Sequence, residues 1–148
     1  QSVSVTEMTE FVLPPHTNAF GTVFGGQIMA WVDLCGAICA QRHSGHMCVT
    51  ASVDDLSFKR PVRVGQVVRL RAQVNATFRT SMEIEVDVQG EDTLTGERWP
   101  TVHCCTTFVA VRGDGTPTEV PRLILETPEQ RESQAEAEKR RRVRLEKR

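Results

Sequence analysis

Residues 25–41 read GGQIMAWVDLCGAICAQ. Ile28, Met29, Trp31, Val32, Leu34, Ile38 and the alanines stand on every side of this stretch, and Asp33 is its one formally charged side chain. Such a run predicts a helix, and a helix that is apolar all round belongs in an interior. An unpaired carboxylate buried there costs several kcal/mol, so Asp33 at the midpoint needs a reason. Either Asp33 is a functional acid, or a buried Arg or backbone donors at a subunit contact satisfy it. Gly26 and Asp33 are two helical turns apart and share a face with Ala30 and Ala37, a stripe of small residues carrying one acid. Gly25-Gly26 falls where the helix begins, with free N–H groups and the positive end of the dipole. Amides that polarise a carbonyl oxygen beside an acid that directs a nucleophile would form a catalytic unit. Alternatively the two glycines make a tight turn packed against another backbone.

Working outward, five segments are β-compatible. Residues 3–13 run into Pro14-Pro15. Residues 47–58 alternate through Met47, Val49, Ala51 and Val53, then change phase at Asp54-Asp55 to Leu56 and Phe58, which predicts a bulge. Residues 66–78 set Val68, Leu70, Ala72 and Val74 against Arg69, Arg71 and Gln73. Residues 82–89 set Met82, Ile84, Val86 and Val88 against Glu83, Glu85, Asp87 and Gln89. Residues 99–112 are apolar on both faces from Phe108 to Val111, as suits an inner strand. The order β-α-β-β-β-β predicts an α+β domain, an antiparallel sheet curved around one helix.

Pro117, Pro121 and Pro128 punctuate a linker over residues 114–128. The domain therefore spans residues 1–126, and residues 127–148 form a charged helical tail with Thr127 as N-cap, Pro128 in the first helical position and Glu129 in the first turn. The tail holds eight Lys/Arg and five Glu, and the expectation is a solvated helix that assists in binding anionic substrate. No aromatic residue follows Phe108, which argues against base stacking by the tail.

With 148 residues, 39% of them hydrophobic and 25% charged, the chain can fill one core. A net charge of -1 does not suggest a nucleic-acid surface, and no apolar run approaches the ~20 residues of a membrane span. Gln1 opens the chain without a signal-peptide pattern, so a cytoplasmic location is expected, without stable membrane association. The five cysteines, Cys35, Cys39, Cys48, Cys104 and Cys105, are expected as reduced packing residues. Cys35, Cys39 and His43 share a helix face at four-residue steps, but nothing completes a metal motif, and neither metal nor cofactor is expected. His16, beside Pro15, invites a general-base role less than a solvated one, and no G-x-S-x-G supports a serine hydrolase.

Asn18-Ala-Phe-Gly21-Thr-Val-Phe-Gly25-Gly26-Gln-Ile-Met-Ala-Trp31-Val-Asp33 resembles the signature of the hotdog-fold acyl-CoA thioesterases, the acyl-CoA hydrolases. Phe58-Lys59-Arg60-Pro61-Val62 with Gly65, and Arg79-Thr80-Ser81-Met82, are similar to later segments of that family, and the likeness runs over residues 5–112. Phe78 departs from the pattern, which has a small residue or Gly there. The resemblance implies a hotdog fold, a sheet of five strands or six wrapped around the long central helix. It implies hydrolysis of acyl-CoA to fatty acid and coenzyme A by homodimers, joined edge to edge and assembled as trimers of dimers. The site would lie at the dimer interface, with Asp33 as base or nucleophile facing Asn18 of the other subunit and the Gly26 N–H as oxyanion donor. Gly25, Lys59, Arg60, Arg79, Thr80 and Ser81 would contact the substrate. Two other functions stay open: a non-catalytic acyl-CoA-binding module, and a hotdog hydratase or dehydratase. The latter would need a catalytic His that the helix start does not offer.

Overall fold

The computed structural model describes residues 4–146, so Val3 of the expected first strand and Lys147 and Arg148 of the tail lie outside the described residues. In chain order it contains β1 (Val5–Phe11), a 3-10 turn (Pro14–His16), α1 (Gly25–Ser44), β2 (Met47–Phe58), β3 (Val67–Thr77), β4 (Ser81–Glu91), β5 (Arg98–Val111) and α2 (Pro128–Glu146). The strands form one sheet in the order β1-β3-β4-β5-β2, every pairing antiparallel, so the described residues hold five strands and no sixth. β5 is an inner strand, as its apolar faces predict, and β1 and β2 are the edges. No helix among the described residues is long and apolar enough to cross a membrane.

Period-2 patterning on β3 and β4 turns Val68, Leu70, Ala72, Val74, Met82, Ile84, Val86 and Val88 to one face, where all are buried. Across that face lies α1, which buries Ile28, Trp31, Val32, Cys35 and Cys39 in the same core. Gly36 lets the helix come close: a Cβ there would stand 2.9 Å from the Phe108 ring. The helix runs three residues past the expected end at Gln41 and stops at Gly45, whose φ of 72° is the left-handed turn that glycine supplies without a steric penalty.

One expectation is overturned. The helix is not enclosed on all sides: Gly26, Ala30, Asp33 and Leu34 are exposed, with Leu34 at 54%. A single sheet covers only one side of a cylinder, so among the described residues little packs against the far face of α1.

Strand β2 also differs in detail. Its ladder to β5 shifts register twice, between Thr50 and Ser52 and again between Asp54 and Ser57, where Asp55 takes a φ of 52°. The second irregularity is the bulge the Asp54-Asp55 phase change predicts. The first, around Ala51, breaks the expected single face: Thr50 and Val53 pair with Phe108 and Thr106, Val49 with Val109. An inserted residue resets the alternation, which apolar spacing alone does not register.

The tail is a helix with the expected cap. Thr127 Oγ1 accepts from the Gln130 amide at 3.1 Å, and the Gln130 side chain accepts in return from the Thr127 amide at 3.2 Å, a reciprocal capping box. It is not the solvated appendage its composition suggests. Ala137 is 1% exposed, Gln134 accepts from the Thr77 amide, and Arg140 reaches Glu83 on β4 at 2.7 Å. Helix α2 therefore lies on the sheet face opposite α1. The alternation of β4, read as polar and outward, put Glu83 toward solvent; α2 buries it.

The Gly36 contact is testable. Gly36→Ala forces a methyl into the buried Phe108 ring and should destabilise the chain by about 1–3 kcal/mol, seen as a lower urea midpoint at unchanged slope. An unaltered midpoint would show that the ring yields freely.

Candidate active site

Asp33 lies at the middle of α1 on the uncovered face, beside the edge strand β2. Thr50 of β2 turns inward toward the helix and donates its hydroxyl to Asp33 Oδ1 at 2.5 Å. A charge-assisted bond of this kind fixes one carboxylate oxygen and leaves the other available. Thr50 escaped the sequence reading because it stood among residues read as plain strand. Its signal was a hydroxyl at the polar phase of a strand flanking the acid-bearing helix.

Helix α1 begins with no side-chain cap. The amides of Gln27 and Ile28 bond back to the Phe24 carbonyl, which leaves the Gly25 and Gly26 N–H groups as the donors at the positive helix end. Neither glycine is required by its own chain. A Cβ at Gly25 would come no nearer than 3.9 Å to Phe58, and one at Gly26 no nearer than 3.5 Å to Phe24. Both would be ordinary contacts, so the tight-turn explanation for this pair finds no close backbone among the described residues.

Asn18 heads the loop that feeds the helix. Its side-chain oxygen accepts from the Phe20 amide at 2.9 Å and from the Thr22 amide and hydroxyl at 3.2 Å each. Backbone donors settle which side-chain atom is the oxygen, and the carboxamide NH2 is left as a donor at an exposed position. His16 is occupied structurally: its Nδ1 accepts from the Leu13 amide at 3.0 Å, and its ring packs edge-on at 5.0 Å against Trp31. Trp31 is buried under that contact.

The remaining candidates separate into two groups. Lys59 and Arg60 follow β2 at the sheet end that also holds the start of α1, and Gly25 faces Phe58 there. Arg60 is already engaged, paired with Glu97 at 2.8 Å and stacked 4.2 Å over Trp99. Arg79, Thr80 and Ser81 form the β3–β4 hairpin at the opposite end. The eleven residues of β3 put about 35 Å between the two ends. Gly26 and Asp33 do share a face, but seven residues of helix place them about 10 Å apart along the axis. The hollows of about 450 and 670 Å³ elsewhere on the surface are lined by none of Asp33, Asn18 or Gly26.

The cysteines are unpaired. Burial pushes the Cys35 and Cys39 thiols up to about 11, and their Sγ atoms donate to the Thr6 and Ala72 carbonyls. His43 Nε2 lies 2.9 Å from the Pro121 carbonyl, so each member of the Cys35, Cys39, His43 face has another partner. Glu85, Asp87 and His103 on the outer sheet face offer ligand atoms within 4.8 Å of one another. There His103 Nε2 sits 3.3 Å from Glu85 Oε1 and 3.9 Å from Asp87 Oδ1.

The family profile of the thioesterase superfamily matches residues 20–97. Acyl-coenzyme A thioesterase 11 of Mus musculus is 39% identical over 139 residues, 94% of this chain but 23% of its own length. The chain thus spans about a quarter of the mammalian relatives it matches. An uncharacterized acyl-CoA thioester hydrolase of Bacillus subtilis is 38% identical over 82% of this chain and 71% of its own. Among solved structures, an apo-hexameric acyl-CoA thioesterase superposes with a TM-score of 0.91 at 39% identity, covering 97% of this chain and 92% of that one. An acyl-CoA hydrolase of Staphylococcus aureus, solved with butyryl coenzyme A and coenzyme A, gives 0.85 at 31% identity over 97% and 90%. Alanine variants of that hydrolase were solved at an Asn, an Asp and a Thr separated by 15 and 17 residues, the intervals between Asn18, Asp33 and Thr50. By sequence over most of its length and by the course of its backbone, this chain belongs to the thioesterase superfamily, among the hotdog-fold acyl-CoA thioesterases.

Proposed function

We propose that this chain hydrolyses acyl-CoA thioesters to a free acid and coenzyme A, with Asp33 as general base on water or as the attacking nucleophile. The observation that carries this reading is the Asp33 carboxylate, oriented by Thr50 at 2.5 Å on an uncovered stripe of small residues. Relatives named as acyl-CoA thioesterases and hydrolases support the substrate class. The Gly26 N–H is the oxyanion donor, and the Asn18 NH2 orients water or the thioester.

Geometry within one chain argues for a site shared between two copies. A reacting carbonyl must lie about 3 Å from both nucleophile and oxyanion donor, and Asp33 stands some three times farther than that from Gly26 of its own helix. Asp33 of one copy therefore acts with Gly26 and Asn18 of another. Strand β2 supplies the contact: it is an open edge carrying exposed Met47, Val49, Val53, Leu56 and Phe58, and an open apolar edge calls for a partner. Two β2 strands paired by a two-fold axis run antiparallel and bring opposite sheet ends together. That pairing sets Lys59 of one copy near Arg79, Thr80 and Ser81 of the other, which suits a long, phosphate-bearing substrate. Arg60 contributes less, being held by Glu97. The hexameric state described for a similar structure supports further assembly into trimers of dimers.

Thiol release from a panel of acyl-CoAs tests the reading. Asp33→Ala should lose at least about a hundredfold in turnover, the scale of a positioned base, with its fold intact by circular dichroism. Tight acyl-CoA binding without thiol release from any chain length would instead identify a non-catalytic binding module. Asn18→Asp keeps the oxygen that braces the loop and removes the NH2 donor, so turnover should fall while stability holds. A variant as active as the unaltered chain would refute the donor role.

A further inference from the structure

We propose that Arg144 and Arg140 of α2 are positioning residues for the thioesterase reaction, setting the register of β2 so that Thr50 meets Asp33. This rests on the functional reading above and extends it to a helix that, among the described residues, makes no hydrogen bond to Asp33, Asn18 or Gly26.

Strand β2 is weakly held in its own sheet. Within one chain it bonds to β5 alone, and its ladder is interrupted on both sides of Val53. Between Thr50 and Ser57 its own sheet therefore holds it only through the short paired run Ser52–Asp54. A slip of one residue moves every side chain to the opposite face, and Thr50 would then turn away from α1. Phe58, which packs over Gly25 at the helix start, would turn with it.

Helix α2 supplies the missing constraint. Arg144 donates to Asp54 Oδ2 at 2.5 Å, and Arg140 donates to Asp55 Oδ2 at 3.2 Å. Asp54 is the last paired residue before the bulge, and Asp55, in the left-handed region at φ 52°, begins it. The same Arg140 is anchored on β4 through Glu83, whose side chain is 4% exposed. A strap thus runs from the buried Glu83 to the bulge and pins two consecutive residues of an edge strand. Because a guanidinium is a planar, directional donor, it registers which residues occupy the bulge as well as how close the strand lies. Asp54 is four residues beyond Thr50, and the irregularity between them at Ala51 is where a strand released at Asp54 would slip, directly beside Thr50.

The test uses the 148-residue chain with R144A, D54A, R144K, T50V and the R144A/T50V double variant, and pairs thiol-release kinetics with amide hydrogen exchange. R144A and D54A should each lower kcat by about tenfold or more, the cost of a slight misplacement, with KM within about twofold. R144K, which keeps the charge without the planar fork, should recover only part of kcat. In the T50V background R144A should cost nothing more, because both act through one contact. Amides of residues 51–57 should exchange at least about tenfold faster in R144A and D54A. Unchanged exchange there, the same fold-loss with and without Thr50, or a raised KM at unchanged kcat would each overturn the proposal. If R144A fails to fold, D54A breaks the same pair from the strand side and decides the matter. Faster exchange in a chain that releases no thiol even unaltered would sink the thioesterase reading and leave the register role standing.

Discussion

A helix apolar on all sides, laid across a single sheet, can bury only one of them. That constraint organises this molecule. The buried side of α1 is packed closely enough that Gly36 meets the Phe108 ring, and the core behind it is Val, Leu and Ile drawn from β3, β4 and β5. The other side, with Gly26, Ala30, Asp33 and Leu34, is left bare. Removing apolar surface from water is worth roughly 25 cal/mol per Å², so a bare apolar stripe next to an open β2 edge is surface that association would cover.

The acid in that stripe becomes intelligible in the same terms. Within one chain Asp33 is not a buried carboxylate needing neutralisation; it is exposed and held by one hydroxyl. Its enclosure, on the reading proposed here, comes from a second copy, and with it the lower dielectric in which oriented amides and a carboxylate act strongly. The two glycines fit the same scheme. They are small although nothing among the described residues crowds them, which is expected where another molecule approaches the backbone.

Opposite α1, the sheet is managed differently. Its outer face carries charges, and α2 covers part of it by pairing Arg140 with a buried glutamate. A buried pair of this kind is seldom a large net source of stability, because desolvation offsets most of the attraction. Its value lies in direction: it ties the C-terminal helix to particular residues of β4 and β2. Helix α2 thus acts on the strand whose irregularity matters most to Asp33.

Much of this was legible in the residues. Period-2 alternation located β2, β3 and β4 to within a few positions, the Thr127-Pro128-Glu129 cap began α2, and the phase change at Asp54-Asp55 marked a bulge. Asp33 was conspicuous because one charge in an apolar helix contradicts its surroundings, and the family resemblance ran through Asn18, Gly25 and Gly26. These are local signals, set by neighbours a few residues away. What the chain alone could not disclose depends on contacts between distant segments. Burial of α1 on one side only, the extra bulge at Ala51, Thr50 reaching Asp33 and Arg140 reaching Glu83 all arise when the sheet is assembled. A side chain's partner across a fold is decided by register and packing, and neither is written in the spacing of the residues that form it.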